Sequence, residues 1–186
     1  MSETLHSHPE RSGLAGVLER LRDALGGSLL EAASADDMDE AAILPEGLHA
    51  AVNVLRAAGF NMLADIGGTD HLPLSPRFEV SYHFIAIDES GKLVTDPPRY
   101  RLRVFPDDAE PVVPTLCGAW RAAEWPEREV YDLFGIRFDG HPNMKRILMP
   151  DDWTGHPLRK DYPLRGHDRG FVAGGRLGTV PPVRSS

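Results

Sequence analysis

Only one cysteine, Cys117, stands among the 186 residues of this chain. A single thiol cannot form an intrachain disulfide, and it falls short of the roughly four thiolates an iron–sulfur cluster needs, so any cluster must belong to a partner. Long hydrophobic runs are also missing: none approaches the ~18–20 residues that cross a bilayer. The opening MSETLHSHPERSG lacks the basic start and apolar core of a secretory signal, so a cytoplasmic address is expected. Positive charge is scarce, with 20 Lys and Arg against 28 Asp and Glu for a net of −8, which argues against a nucleic-acid-binding domain. Spaced glycines of a phosphate cradle are absent too. The one glycine-bearing loop, Gly67 to His71, reads GGTDH with no helix behind it, so a tight turn is expected and dinucleotide binding is not supported.

What remains is the composition of an ordinary globular chain, 41% hydrophobic and 26% charged, long enough for one domain with a core and tails. Its charge is uneven. Residues 1–141 hold 24 acids and 12 Lys or Arg, whereas residues 142–186 hold 4 acids and 8 Lys or Arg. The basic end suits an arm that reaches an acidic or phosphate-rich surface, such as one on another protein.

Periodicity gives the elements. Residues 1–12 are a polar tail in which His6 and His8 have no apolar company. Leu14, Val17, Leu18, Leu21 and Leu25 recur at helical spacing up to Gly26 and Gly27. A short strand is expected over Ser28 to Ala33 and a solvated acidic loop over Asp36, Asp37, Asp39 and Glu40. A strand ends at Pro45, and Leu48, Ala51, Val52 and Leu55 mark a second helix closed by Gly59. Phe60 to Ile66 reads as a buried strand. Phe78, Val80, Tyr82 and Phe84 alternate with Glu79, Ser81 and His83, the two-residue period of a sheet with one wet face. After a turn at Asp88 to Lys92, Arg99, Arg101 and Arg103 alternate with Tyr100, Leu102 and Val104, and these two strands should pair antiparallel, with the arginines matched to Glu79 and other acids. Pro114 suits the first turn of a short helix running to Trp120, which would bury Cys117 as an inert thiol. Pro126 opens a further helix with Glu127 and Glu129 in its first turn, and Gly135 closes it.

Beyond Phe138 the periods vanish. His141-Pro142, Met149-Pro150, His156-Pro157 and Tyr162-Pro163 impose turning or extended backbone, and so long an irregular stretch is usually functional, disordered or partner-bound. The layout expected is a flexible tail over 1–12, a core domain over 13–138 and an extended partner-binding arm over 139–186. Its fold class is α+β, with helices packed on a mainly antiparallel sheet.

The segment from Trp125 to Leu164 holds the densest chemistry. His141, Asp151, Asp152, His156 and Asp161 are ligand or acid–base types, which would suit a stand-alone metal-dependent enzyme, but their spacing matches no helix-borne zinc pattern such as HExxH. Lys145, Arg146, Arg159 and Lys160 could bind an anion, yet Glu127 to Arg169 carries eight acids against eight Lys or Arg. An ion-pair knot and docking surface, anchored by aromatics such as Trp153 and Tyr162, accounts for the pattern better.

These residues also carry a resemblance. Glu127, Arg128, Glu129, Asp132, Leu133, Phe134, Gly135, His141, Pro142, Lys145, Ile147 and Leu148, followed by PDDW and GHPLRKDYPL, closely resemble the signature of the C subunit (30 kDa type) of respiratory complex I, the proton-translocating NADH:quinone oxidoreductase. The resemblance implies an accessory subunit of the peripheral arm with no catalytic residues, flavin, cluster or quinone headgroup of its own, FMN and iron–sulfur centres lying in partner subunits; no metal site is expected either. It implies packing against the large D-type subunit near the quinone cavity, at the cytoplasmic face of the cell membrane. C-type subunits also occur in related membrane-bound hydrogenases and ferredoxin-linked complexes. On this reading Glu127, Arg128, Glu129 and Asp132 fix the helix that launches the arm. Arg146, Trp153, Arg159, Lys160 and Tyr162 dock it onto the partner.

Overall fold

The computed structural model describes residues 12–34, 38–87 and 97–163. The expectations for His6, His8, Asp36, Asp37, the Asp88–Lys92 turn and the arm beyond Pro163 lie outside them.

Helix α1 (Ser12–Leu25) turns Val17, Leu21 and Leu25 inward and ends at Gly26, whose φ of 49° lies in the left-handed region. It packs on helix α2 (Leu48–Ala57), which buries Leu48, Ala51, Val52 and Leu55. Five strands form the main sheet: β1 (Leu29–Ser34), β2 (Asp39–Ile43), β3 (Met62–Asp70), β4 (Phe78–Ile85) and β5 (Arg99–Val104), in the order β1-β2-β5-β4-β3. All neighbours are antiparallel except β2 and β5, which run parallel. The result is an α+β fold with a mainly antiparallel sheet.

Alternation sets the register of the central pair. Val80 lies opposite Val104, Tyr82 opposite Leu102 and Phe84 opposite Tyr100, all of them in the core. Ser81 and His83 face Arg103 and Arg101 on the other side of the sheet. There Arg103 binds Glu79 at 2.8 Å, and Arg101 pairs with Glu40, as expected for the arginine row. Burial would raise the Glu79 carboxyl, but the hydrogen bonds and charge of Arg103, with hydrogen bonds to Ser81 and His71, together outweigh it and pull the carboxyl down to about 2.

Three expectations need correction. Asp39 and Glu40 are not loop residues but open β2, because the partners they meet across the sheet are Tyr100 and Arg101. The GGTDH stretch is not a tight turn: Gly67, Gly68, Thr69 and Asp70 continue β3 and pair with Ser81, Val80, Glu79 and Phe78. Gly68 serves close packing, since a Cβ there would sit 2.6 Å from the ring of Phe134. Pro114 does not start a helix but ends β6 (Val112–Pro114), which pairs in parallel with β7 (Arg137–Asp139). The helical turn comes later, at Arg121–Ala123, and runs into α3 (Glu124–Phe134). Cys117 is consequently only half-buried.

Candidate functional site: a helix terminus locked by the arm

Helix α3 is where the signature begins. Its apolar Val130 joins the core, and its inward face also buries Glu127, Arg128 and Asp132. Such burial of charge requires partners for every lone pair and N–H. Each of the three has hydrogen-bond partners within the chain.

Glu127 is fully buried at the helix start, so its role is not that of a solvated first-turn acid. It accepts hydrogen bonds from Leu116 N at 2.7 Å, Thr115 Oγ1 at 2.5 Å and the Cys117 thiol at 3.5 Å, tying α3 to the segment after β6. Burial raises its carboxyl above the usual range although these donors oppose the shift. The Cys117 thiol is pushed up to about 11, mainly by burial. Arg128 donates to Lys145 O at 2.9 Å and Arg146 O at 3.2 Å while its guanidinium lies 4.8 Å from the centre of the Trp125 ring.

Asp132 is the hub. One carboxylate oxygen accepts three consecutive amides, Ile147 N at 2.9 Å, Leu148 N at 2.7 Å and Met149 N at 2.9 Å; the other accepts Arg146 Nη1 at 2.6 Å. Burial would raise its pKa, but those four donors outweigh it and hold the carboxyl below its ordinary value.

A helix leaves its last carbonyls without partners. Here the chain that follows supplies all four. Gly135, at φ 74°, donates to Tyr131 O at 2.8 Å in the left-handed cap that glycine favours. Asp132 O accepts from Arg146 at 3.2 Å and from His156 Nδ1 at 3.0 Å. Leu158 N donates to Leu133 O at 3.0 Å, and Arg159 Nε donates to Phe134 O. Two guanidinium groups thus sit at the negative end of the helix dipole. Arg146 also reaches Trp153 O and Gly155 O, closing the arm upon itself.

A second anchor joins the arm to the sheet. Asp70 accepts two bonds from Arg77, at 3.0 and 2.9 Å, and also the amides of Leu72 and Lys160. These bonds hold its carboxyl far below the ordinary range despite the opposing effect of burial. Arg77 reaches on to Asp161 at 2.8 Å, and the guanidinium groups of Arg77 and Arg159 lie 4.7 and 5.0 Å from the centre of the Phe78 ring. Trp153 and Tyr162 stack with ring centres 6.4 Å apart.

Arg146 and Arg159, read from sequence as contacts to a partner, therefore reach inward to α3 in this chain. Glu129, Lys145, Asp151, Asp152 and the side chain of Lys160 face outward. His141, Asp151, Asp152, His156 and Asp161 do not converge: His141 bonds Glu124 O and Asn143 N, His156 bonds Asp132 O, and Asp161 bonds Arg77. Among the described residues, the ligand types that do converge are Cys117, Glu127 and His141, with ligand atoms within 4.8 Å. Both His141 nitrogens and both Glu127 oxygens already hold hydrogen bonds, so a cation would have to displace them. The sequence reading missed Asp70, Arg77 and Thr115. A lone aspartate before a proline-rich loop gives no local sign that it will meet residue 160.

The fold and this lock define a class: a small α+β domain whose charged signature holds its own irregular arm against a helix terminus. Within that class, the chain belongs to the family of the 30 kDa subunit of respiratory-chain NADH dehydrogenase, whose family model ("Respiratory-chain NADH dehydrogenase, 30 Kd subunit") matches residues 41–168. The C subunit of the NADH-quinone oxidoreductase of Roseiflexus sp. (strain RS-1) is 43% identical over 161 residues, 85% of this chain and 88% of that one. Its counterpart from Geotalea uraniireducens (strain Rf4) is 38% identical over 151 residues, 81% of this chain and 88% of that one. Among solved structures, a trypsin-resistant fragment (1-134) of Nqo5 superposes with a TM-score of 0.59 at 34% identity, covering 70% of this chain and 98% of the fragment. A chain of an archaeal membrane-bound sulfane sulfur reductase shares the fold, with a TM-score of 0.64 at 21% identity over 81% of this chain and 85% of that one. No helix among the described residues is long and apolar enough to cross a membrane.

Proposed function

We propose that this chain is an accessory, non-redox subunit of the peripheral arm of NADH:quinone oxidoreductase. It acts as a scaffold, associating with the cytoplasmic face of the membrane through the other subunits, chiefly the large D-type subunit near the quinone cavity. FMN and iron–sulfur centres in partner subunits carry electrons from NADH to quinone, and the assembly couples this transfer to proton translocation. The family membership supports the assignment to the complex. A single thiol, already donating to Glu127, supports the non-redox role.

The observation that carries the scaffold reading is the four-carbonyl lock. Ordering an arm costs conformational entropy, and an arm ordered on its own domain brings less of that cost to assembly. Lys145, Asp151 and Lys160 on its outer face are left available to a partner.

The test is affinity purification through a tag on this chain from native membranes, with subunit identification and assay of NADH:quinone turnover. Co-purification with flavin- and cluster-bearing subunits in fixed ratio is expected. Lys145→Glu with Lys160→Glu should lower recovery of the D-type subunit. Normal assembly of that variant with lost turnover would contradict the scaffold role and restore a direct catalytic one.

A further inference from the structure

On the reading that this chain sits in a complex of several subunits, we propose that a second partner site lies away from the arm. It is an apolar groove rimmed by carboxylates, which seats a cationic segment of another subunit.

The groove has a volume of ≈ 490 Å³, within the range of formed binding clefts of about 300–1,000 Å³. Its floor comes from Leu44, Phe105, Pro106 and Val112, and Leu30 stands 51% exposed at its margin. Four acids line it, Glu46, Asp107, Asp108 and Glu110, with no Lys, Arg or His among the lining residues. The walls are tied together. Asp108 accepts Arg77 N at 2.6 Å and Ser75 Oγ at 3.0 Å, Phe105 N donates to Ile43 O at 3.1 Å, and Leu44 N donates to Ser28 O at 2.9 Å. Asp107 bonds Ala109 N and Glu110 N. Asp107 and Asp108 thus fix the loop, while the carboxylates of Glu46 and Glu110 stand on the exposed rim.

A pre-formed groove lowers the ordering cost of binding. The chemistry selects its occupant. Negative charge repels anionic lipid and nucleic acid, and a second copy of a chain with net charge −8 would meet the same repulsion. An extended segment of another subunit, with an aliphatic side chain on the floor and Lys or Arg beside Glu46 and Glu110, satisfies both the apolar and the charged parts.

The experiment compares the free full-length chain with the complex purified from membranes. Carbodiimide-driven coupling of glycine ethyl ester reports carboxylate access, and carbodiimide alone joins carboxylates to touching lysines. Glu46 and Glu110 should label in the free chain and label at least about tenfold more slowly in the complex, where an occupant excludes water. Glu46→Lys with Glu110→Lys should shift loss of the neighbouring subunit to lower salt, and a coupled lysine would identify that neighbour. Equal labelling in both forms overturns the inference. So does protection that survives the double reversal with unchanged salt sensitivity, or coupling only to another copy of this chain. Recovery of the chain without any other subunit would instead overturn the reading on which the inference rests.

Discussion

Arg146 places Nη1 2.6 Å from Asp132 Oδ1, and the carboxylate it meets is completely buried. The same aspartate gathers three amides of residues 147–149, so a single side chain converts an irregular segment into a fixed one. Breaking a buried pair from one side leaves an unpaired charge, which costs roughly 3–5 kcal/mol. Asp132→Ala should therefore lower the urea midpoint of the full chain markedly. Asp132→Ala with Arg146→Met should cost less than the sum of the single changes, because the two residues share one network.

Acid should loosen the arm before it unfolds the sheet. Burial first, then Arg159 and Arg146, lower the His156 pKa, with only partial opposition from Asp132. The folded chain then binds fewer protons at His156 than the unfolded chain does. Its contribution is present above the unfolded value of about 6.5 and is lost as pH falls through the lower folded value. Glu79 behaves likewise at more acid pH. Its stabilisation is complete above about 4.3, the ordinary glutamate value, and fades toward its folded value of about 2. Limited proteolysis between pH 7.5 and 5 should show arm cleavage rising first, and His156→Gln should remove that pH dependence.

Two glycines should resist substitution for different reasons. At Gly135 the left-handed φ of 74° and the contacts of an added Cβ with His156 at 2.5 Å and Arg159 at 2.6 Å act together. Gly135→Ala should cost about 1–3 kcal/mol from backbone strain alone. Gly68 has ordinary backbone but lies beneath Phe134 and Val130, so Gly68→Ala should cost about 1–3 kcal/mol by overpacking. Thermal unfolding of the Gly68→Ala, Phe134→Leu pair separates the two causes: the smaller side chain should recover part of the loss only at Gly68.

Cys117 should be a poor nucleophile. With its thiol pushed up to about 11, alkylation by iodoacetamide at pH 7.5 should run far below the rate of an unfolded control and climb only in strongly alkaline solution. Rapid labelling at neutral pH would contradict the packing described around Glu127.

Much of this architecture was legible locally. The alternation of Phe78 to Phe84 and of Arg99 to Val104 fixed two strands and their faces, and Gly135 marked the end of α3, whose start lies at Glu124, two residues before the Pro126 expected to open it. Local cues misled where tertiary pairing overrode them. Gly67 and Gly68 read as a turn because glycine weakens strands, yet both continue β3, and the bare backbone of Gly68 lets α3 approach it. The long-range destinations of Asp70, Arg146 and Arg159 were illegible for another reason: Lys160, Asp132 and Phe134 lie 90, 14 and 25 residues away from them, and no periodicity encodes such a meeting. Charge density marked the right segment, but the choice between pairing within the chain and docking outside it depends on three-dimensional proximity.

The lock is tested most directly by hydrogen exchange at the amides of Ile147, Leu148 and Met149 in the isolated full-length chain at pH 7. Bonded to buried Asp132, they should exchange with the slow core of the domain, and Asp132→Ala should release all three together while β4 and β5 remain protected. Exchange at the rate of an unstructured peptide in the unaltered chain would contradict the account, because the arm would then gain its order only from partners.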